Sequence, residues 1–128
     1  MVVSEQDRIA AAQAYIDALV SHTGDAVPFA PGCTRVEQGI KNGFNGNHLR
    51  RSLNRGPQYR LLAETTPPDC SIIGDAVRAR YQVLTKAAFG GRRVGARVDE
   101  TFVIPAESPS GRAEIHHIKV RFHPFIQR

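Results

Sequence analysis

The chain has no tryptophan, only two cysteines, and no apolar run of the roughly eighteen residues that would mark a membrane span. Cys33 and Cys70 stand far apart and outside any CxxC spacing. That argues against a disulfide framework or a thiolate metal site and makes a reducing cytoplasm the default setting, with one disulfide left open. The opening residues, MVVSEQDRIAAAQAY, lack the basic start and apolar centre of a secretory signal. Also missing are a GxGxxG turn, a phosphate-binding GxxxxGK loop, an HExxH pair and a GxSxG elbow. Chemistry that depends on a dinucleotide, a nucleoside triphosphate, a peptidase zinc or an elbow serine is therefore not signalled, and no cofactor and no metal are expected.

What is present suits one compact domain over residues 1–128. Hydrophobic residues make up 41 %, with six Phe and three Tyr supplying bulk. The formal charge of +5 comes from 17 basic and 12 acidic residues, enough to aid solubility and steer anions. The arginines are dispersed, the tightest groups being Arg50, Arg51 and Arg55, then Arg78 and Arg80, then Arg92, Arg93 and Arg97. Without an aromatic platform beside them, neither nucleic acid nor a membrane is an expected partner.

Along the chain, Ser4 with Asp7 three residues on reads as a helix start, and Ile9, Ala12, Tyr15 or Ile16, and Leu19 recur at helical spacing to an end near Ser21 to Gly24. Asp25 to Phe29 reads as a short helical turn, Thr34 to Gln38 as an extended piece, and KNGFNGNH, Lys41 to His48, as a turn whose Asn47 caps a second short helix. Beyond Gly56 and Pro57 the period becomes two. Strands are expected over Gln58 to Ala63, Ala76 to Ala88, Val94 to Ile104 and Glu114 to Phe122, with Gly90 and Gly91 turning the central hairpin. Helices first and a strand meander afterwards predict an α+β domain, its helices on one face of a curved antiparallel sheet that encloses a pocket.

Two adjacent acids interrupt the strand ARVDETFVI. Alternation places Arg97, Asp99, Thr101 and Val103 on one face, and Ala96, Val98, Glu100, Phe102 and Ile104 on the other. Either acid can pair with a neighbouring-strand arginine, Arg78 or Arg80, or serve as a buried carboxyl. In the last strand the same alternation sets His116 with the apolar Ile118, Val120 and Phe122, and His117 with Lys119 and Arg121. His116 then reads as a core histidine or as a neutral base.

Four segments together resemble the cone-shaped NTF2-like (cystatin-like) family of nuclear transport factor 2, ketosteroid isomerase and SnoaL-type cyclases, most closely the ketosteroid isomerase and SnoaL-like branch. They are AQAYIDAL around Tyr15, Val27 to Val36, Ala96 to Phe102, and Ile115 to Phe122. The resemblance implies a cone-shaped fold and a homodimer joined by outer sheet faces. It puts the family's oxyanion tyrosine on Tyr15 and its protonated aspartate on Asp99, a carboxyl kept neutral in an apolar cavity so that it donates a hydrogen bond. The family's carboxylate base falls on Gln38, which cannot take a proton. Glu37, brought round by a bulge, or His116 from the opposite wall would have to replace it. With Glu37 as base, Glu37→Gln abolishes turnover and Glu100→Gln does not. Phe29, Val36, Leu53, Phe102, Ile118, Val120 and Phe122 are the expected pocket wall. The implied function is isomerase or lyase chemistry on a small apolar molecule bearing a carbonyl or hydroxyl. The alternative is a non-catalytic module that binds a small hydrophobic ligand or a protein.

Overall fold

A computed structural model describes residues 1–127, the Phe89 side chain excepted. Ser4 starts helix α1 (Glu5–Ser21), its hydroxyl accepting a hydrogen bond from the Asp7 N–H at 3.1 Å. Glu5 and Asp7 place negative charge at the positive end of the helix dipole. The buried stripe, Ala11, Ala12, Tyr15, Ile16, Ala18 and Leu19, follows the helical period. His22 ends the helix in the left-handed region (φ 59°) with its N–H on the Ala18 carbonyl at 2.9 Å. Arg8 is buried on the same stripe because its guanidinium has partners: Nε donates to the Ile104 carbonyl (2.7 Å) and Nη2 to the Gly74 carbonyl (2.6 Å), fixing α1 to the sheet.

A short 3-10 turn, Gly24–Ala26, leads into β1 (Phe29–Glu37), β2 (Ile40–Gly43) and α2 (Gly46–Arg55). Asn45, not Asn47, caps α2, accepting from the His48 N–H at 2.8 Å, and the preceding turn-like stretch holds a strand at its start. After a second 3-10 turn, Pro57–Tyr59, come β3 (Leu62–Thr65), β4 (Asp69–Ile73), β5 (Ala76–Phe89), β6 (Arg92–Val103) and β7 (Ile115–Ile126). The β5–β6 hairpin turns on Gly90 and Gly91, both at positive φ (58° and 80°), a conformation that costs a glycine nothing. Strand β4 has no counterpart in the sequence reading. It follows Pro67 and Pro68 directly and lies antiparallel along β5, pairing Asp69 with Arg80 and Ile73 with Ala76.

The expected cone enclosing a pocket, built on an antiparallel sheet, is not what forms. The seven strands make one mixed sheet in the order β2-β1-β7-β6-β5-β3, with β4 also on β5, and it is neither closed nor strongly curled. The β1–β7 pair is parallel. Which strand lies beside which, and in what direction, is a long-range property, and period-two alternation carries no information about it. The β1–β7 ladder breaks between Phe29 and Thr34, across Pro31, which has no N–H to give. Past that break Cys33 and Arg35 are both buried.

The main core lies between the α1 stripe and the inner face of β5 to β7, where Tyr15 meets Phe102 and Phe29 edge-on at 5.4 and 6.1 Å between ring centres. Four residues expected on a pocket wall, Phe29, Leu53, Phe102 and Ile118, belong to this solid core. α2 closes tightly over the start of the sheet at Gly43. A Cβ there would stand 2.5 Å from Leu49 Cδ2 and 2.7 Å from the Arg35 Cβ. Gly43→Ala should therefore cost about 1–3 kcal/mol through overpacking, read as a fall in the urea midpoint at unchanged slope.

Candidate functional site

Toward one end of the sheet the helices no longer fill the inner face, and a cleft of about 610 Å³ remains. Its walls are the inward side chains of β5, β6 and β7, faced by Leu19 of α1, Leu62 of β3 and Tyr59. Most of the lining is apolar. The polar groups are Arg35 and Glu37 of β1, Asn42 of β2, Gln58 and Tyr59 of the second 3-10 turn, Tyr81 and Thr85 of β5 and Glu100 of β6. Register accounts for this gathering: Glu100 stands opposite Val120 on one side and Ala79 on the other, two pairs along, and so on the same face, from Val98 opposite Tyr81.

Glu100 is the chemically unusual member. It is 1 % exposed, and Oε1 accepts the Tyr81 hydroxyl at 2.5 Å while Oε2, also buried, has no hydrogen-bond partner. Burial pushes its pKa up from 4.5 to about 7, against the lowering influence of the Arg35 cation and the Tyr81 bond. Burial likewise raises Tyr81 well above its ordinary range, so the phenol stays protonated and donates. Burial works against the Arg35 cation, but Tyr15, Tyr59, Glu100 and Glu37 around it outweigh that, and its pKa is raised. Arg35 Nη2 donates to Glu37 Oε1 at 3.2 Å, and Asn42 Nδ2 donates to Glu37 Oε2 at 3.1 Å. Arg35 Nε is buried with no partner. The arrangement thus holds one cation between two carboxyl groups. One of these, Glu37, is engaged at both oxygens, and the other, Glu100, has a free oxygen and titrates near neutrality.

The residues singled out from the sequence fall in different places. Asp99 does not point into a cavity. It is on the outer face, 41 % exposed at the side chain, with Arg78 bonded to both oxygens (Nε 3.0 Å, Nη2 2.6 Å) and Arg80 at 3.8 Å. The Arg78 hydrogen bonds hold it below the usual carboxylate range, which is the opposite of a retained proton. The resemblance set the buried acid one residue early, and in a strand one residue is the whole difference between two faces. Tyr15 is fully buried off the cleft wall. Its hydroxyl has no hydrogen-bond partner, and burial raises its pKa, with Arg35 and Glu100 both near enough to influence it. Glu37 lines the cleft. Gln38, at φ 50°, is turned outward, its side-chain amide bonded to both the N–H and the carbonyl of Phe122. His116 is exposed, because the inward positions at the start of β7 are Ile115 and Ile118, three apart, and the alternation used to place it breaks there. Of the expected pocket wall, Val120 and Phe122 line the cleft and Val36 does not.

The sequence reading passed over Arg35, Asn42, Tyr81 and Glu100 as site residues. For Glu100 a signal existed: its face carries Val98, Phe102 and Ile104, whereas Asp99 shares its face with Arg97 and Thr101 and lies across from arginines. Among the described residues no three His, Cys, Asp or Glu side chains are grouped to hold a metal ion, and no helix is long and apolar enough to cross a membrane.

Residues 2–122 match the model of DUF8021, a domain of unknown function. The chain belongs to that family. No curated protein matches it. Among solved structures, the family member described here is similar to an LEH-like epoxide hydrolase from M. tuberculosis, at 21 % identity and TM-score 0.68 over 92 % of this chain and 84 % of that one. It is similar to SalBIII, an epoxide hydrolase/cyclase-like enzyme of pyran ring formation in salinomycin, at 16 % identity and TM-score 0.68 over 96 % and 98 % of the two chains. A ketosteroid isomerase-like protein from Erwinia carotovora atroseptica gives 16 % identity and TM-score 0.63 over 88 % and 91 %. At these identities the likeness is one of fold, and that fold is NTF2-like.

Proposed function

We propose that this DUF8021 protein is an acid–base enzyme acting on a small, mostly apolar substrate with a carbonyl, hydroxyl or epoxide oxygen, through isomerase- or lyase-type proton transfer. The observation that carries the reading is Glu100, a buried carboxyl titrating near 7 with an unbonded oxygen on the wall of an apolar cleft. In its ionised form Glu100 takes a proton from the carbon adjacent to the carbonyl or epoxide carbon, the C–H electron pair shifts toward the oxygen, and the proton is returned as product forms. Charge then develops on that oxygen, and Arg35, which lines the same cleft and keeps Nε unpartnered, would be its hydrogen-bond donor. Tyr81 holds Glu100 in position, and Glu37 with Asn42 holds Arg35. The fold likeness to epoxide hydrolase-like and ketosteroid isomerase-like proteins is consistent with substrates of this kind. The two free thiols support a cytoplasmic setting, and a homodimer through the outer sheet face remains the expectation drawn from the family resemblance.

The test is a panel of enones and epoxides, scored for both binding and product. Conversion is expected, with a rate that rises with pH to a plateau above about 7, as a base with this pKa requires. Binding across the panel with no product at any pH overturns the enzyme reading in favour of a ligand-binding module.

A further inference from the structure

Glu37 pairs with Ile40 across a two-residue turn, Gln38 and Gly39, both at positive φ (50° and 83°). That is the backbone of a type I′ hairpin, which favours Asn-Gly or Gly-Gly, and glutamine has no preference of its own for the left-handed region. What its side chain gains there is a hold on a second strand. Backbone pairing of β1 with β7 ends at Glu37 opposite Val120, and the Gln38 N–H adds one bond to the Val120 carbonyl at 3.0 Å. The side chain supplies the next rung: Nε2 donates to the Phe122 carbonyl at 3.0 Å, and Oε1 accepts the Phe122 N–H at 3.2 Å. Val120 and Phe122 are both cleft residues, so the rung fastens the end of β1 to the cleft wall.

The rung adjoins the least secured part of the site. The Arg35 side chain is 6 % exposed, whereas that of its partner Glu37 is 36 % exposed. A carboxylate with water in reach is held only weakly by its cation. The strand on the other side, β2, is a four-residue edge strand whose ladder slips between Arg35 and Val36. The ionisable groups around Arg35 are Glu37, Glu100, Tyr15 and Tyr59, so if Glu37 drifts outward the remaining carboxyl is Glu100, whose Oε2 is free. Arg35 would close on it, and the base and the oxyanion donor would then satisfy each other instead of the substrate.

We propose that Gln38 is a positioning residue: its amide, fastened to Phe122, holds the end of β1 on β7, so that Glu37 keeps Arg35 drawn away from Glu100. Its effect on turnover rests on the acid–base reading above, while its effect on the Glu100 carboxyl needs no turnover.

Gln38→Asn and Gln38→Met both remove the rung and differ in what they do to the turn. Asparagine suits the first turn position but is one methylene too short to reach Phe122, whereas methionine keeps the length and has no amide. The Glu100 carboxyl is followed in each by NMR titration. Once Glu37 is released, its charge, which raises the Glu100 pKa, recedes, and the Arg35 cation, which lowers it, approaches. The midpoint should therefore fall from about 7 in both variants, by roughly 1–3 units as a close opposite charge gives. On the enone and epoxide panel kcat should fall roughly 10- to 100-fold, with the pH limb displaced the same way. Glu37→Gln should move the midpoint in the same direction, and Gln38→Asn added to it should move it little further, because Gln38 acts through Glu37. A midpoint that stays at about 7 in both folded variants overturns the proposal. So does a shift in only one of them, which follows the turn and not the amide, or full additivity with Glu37→Gln. A midpoint shift in a protein that converts nothing on the panel keeps the clamp and removes the acid–base reading. Conversion by the wild type, with midpoint and kcat unmoved in both variants, does the reverse.

Discussion

Glu100→Gln should lower the rate of conversion by about 10²- to 10⁴-fold, the range a positioned general acid–base group contributes. The amide keeps an acceptor for the Tyr81 hydroxyl and nearly the same shape, so the cleft and its binding of substrate survive while the titrating group is gone. The expected signature is therefore a fall in kcat with little change in KM, together with loss of the pH limb near 7. Asp99→Asn is the matched control. It removes an acid one residue away on the same strand, but on the outer face against Arg78, and should leave turnover and its pH profile as they are. Glu37→Gln should fall between the two, because Glu37 acts through Arg35, and its oxygens are already occupied by Arg35 and Asn42. This reverses the order that the sequence reading attached to Glu37 as base, one of its two candidates beside His116, with Glu100 dispensable in that case. The reversal follows from which carboxyl has an oxygen free. Equal losses for Glu100→Gln and Asp99→Asn would mean that the cleft is not where the chemistry occurs.

The contrast between these neighbours shows what sequence could and could not reveal. The long strands β5 and β6 and the Gly90–Gly91 turn were legible because alternation and turn chemistry are local. So was the capped start of α1 at Ser4. The parallel seating of β1 against β7 was not, since it joins segments some eighty positions apart with no local mark of direction. The site inherits that limit. Arg35 and Glu37 reach the cleft only because β1 resumes pairing with β7 after the break at Pro31, and Tyr81 meets Glu100 only through the β5–β6 register. Each strand taken alone offered an arginine, an acid or a tyrosine of ordinary kind. His116 failed for a smaller reason: one irregular step between Ile115 and Ile118 undoes an argument from alternation.

Glu100 should also leave its mark on stability. In the unfolded chain its carboxyl titrates near 4.5, and in the fold, where burial is the largest influence, near 7. Between those values the folded protein holds a proton that the unfolded chain has released. The unfolded state then binds fewer protons than the native state, and stability falls as pH rises through this window. At about 1.4 kcal/mol per pKa unit the fall amounts to roughly 3 kcal/mol, complete above about pH 7 and absent below 4.5. Glu100→Gln has no such proton to lose. Urea denaturation across the pH range should therefore show the variant gaining on the wild type from pH 4.5 upward and ending about 3 kcal/mol ahead of their low-pH difference. Asp99 cannot imitate this. Its pKa is lowered, so its contribution is present above the unfolded value of 3.8 and is lost only as pH falls below it, in another window and with the opposite sign. Stability curves for wild type and Glu100→Gln that run parallel from pH 4.5 to 7 would mean that residue 100 titrates as an ordinary glutamate, and the proposed base would lose its physical ground. The predicted outcome is that one substitution removes activity and also removes the loss of stability between pH 4.5 and 7, because a carboxylate kept dry enough to move protons near pH 7 strains the fold that holds it.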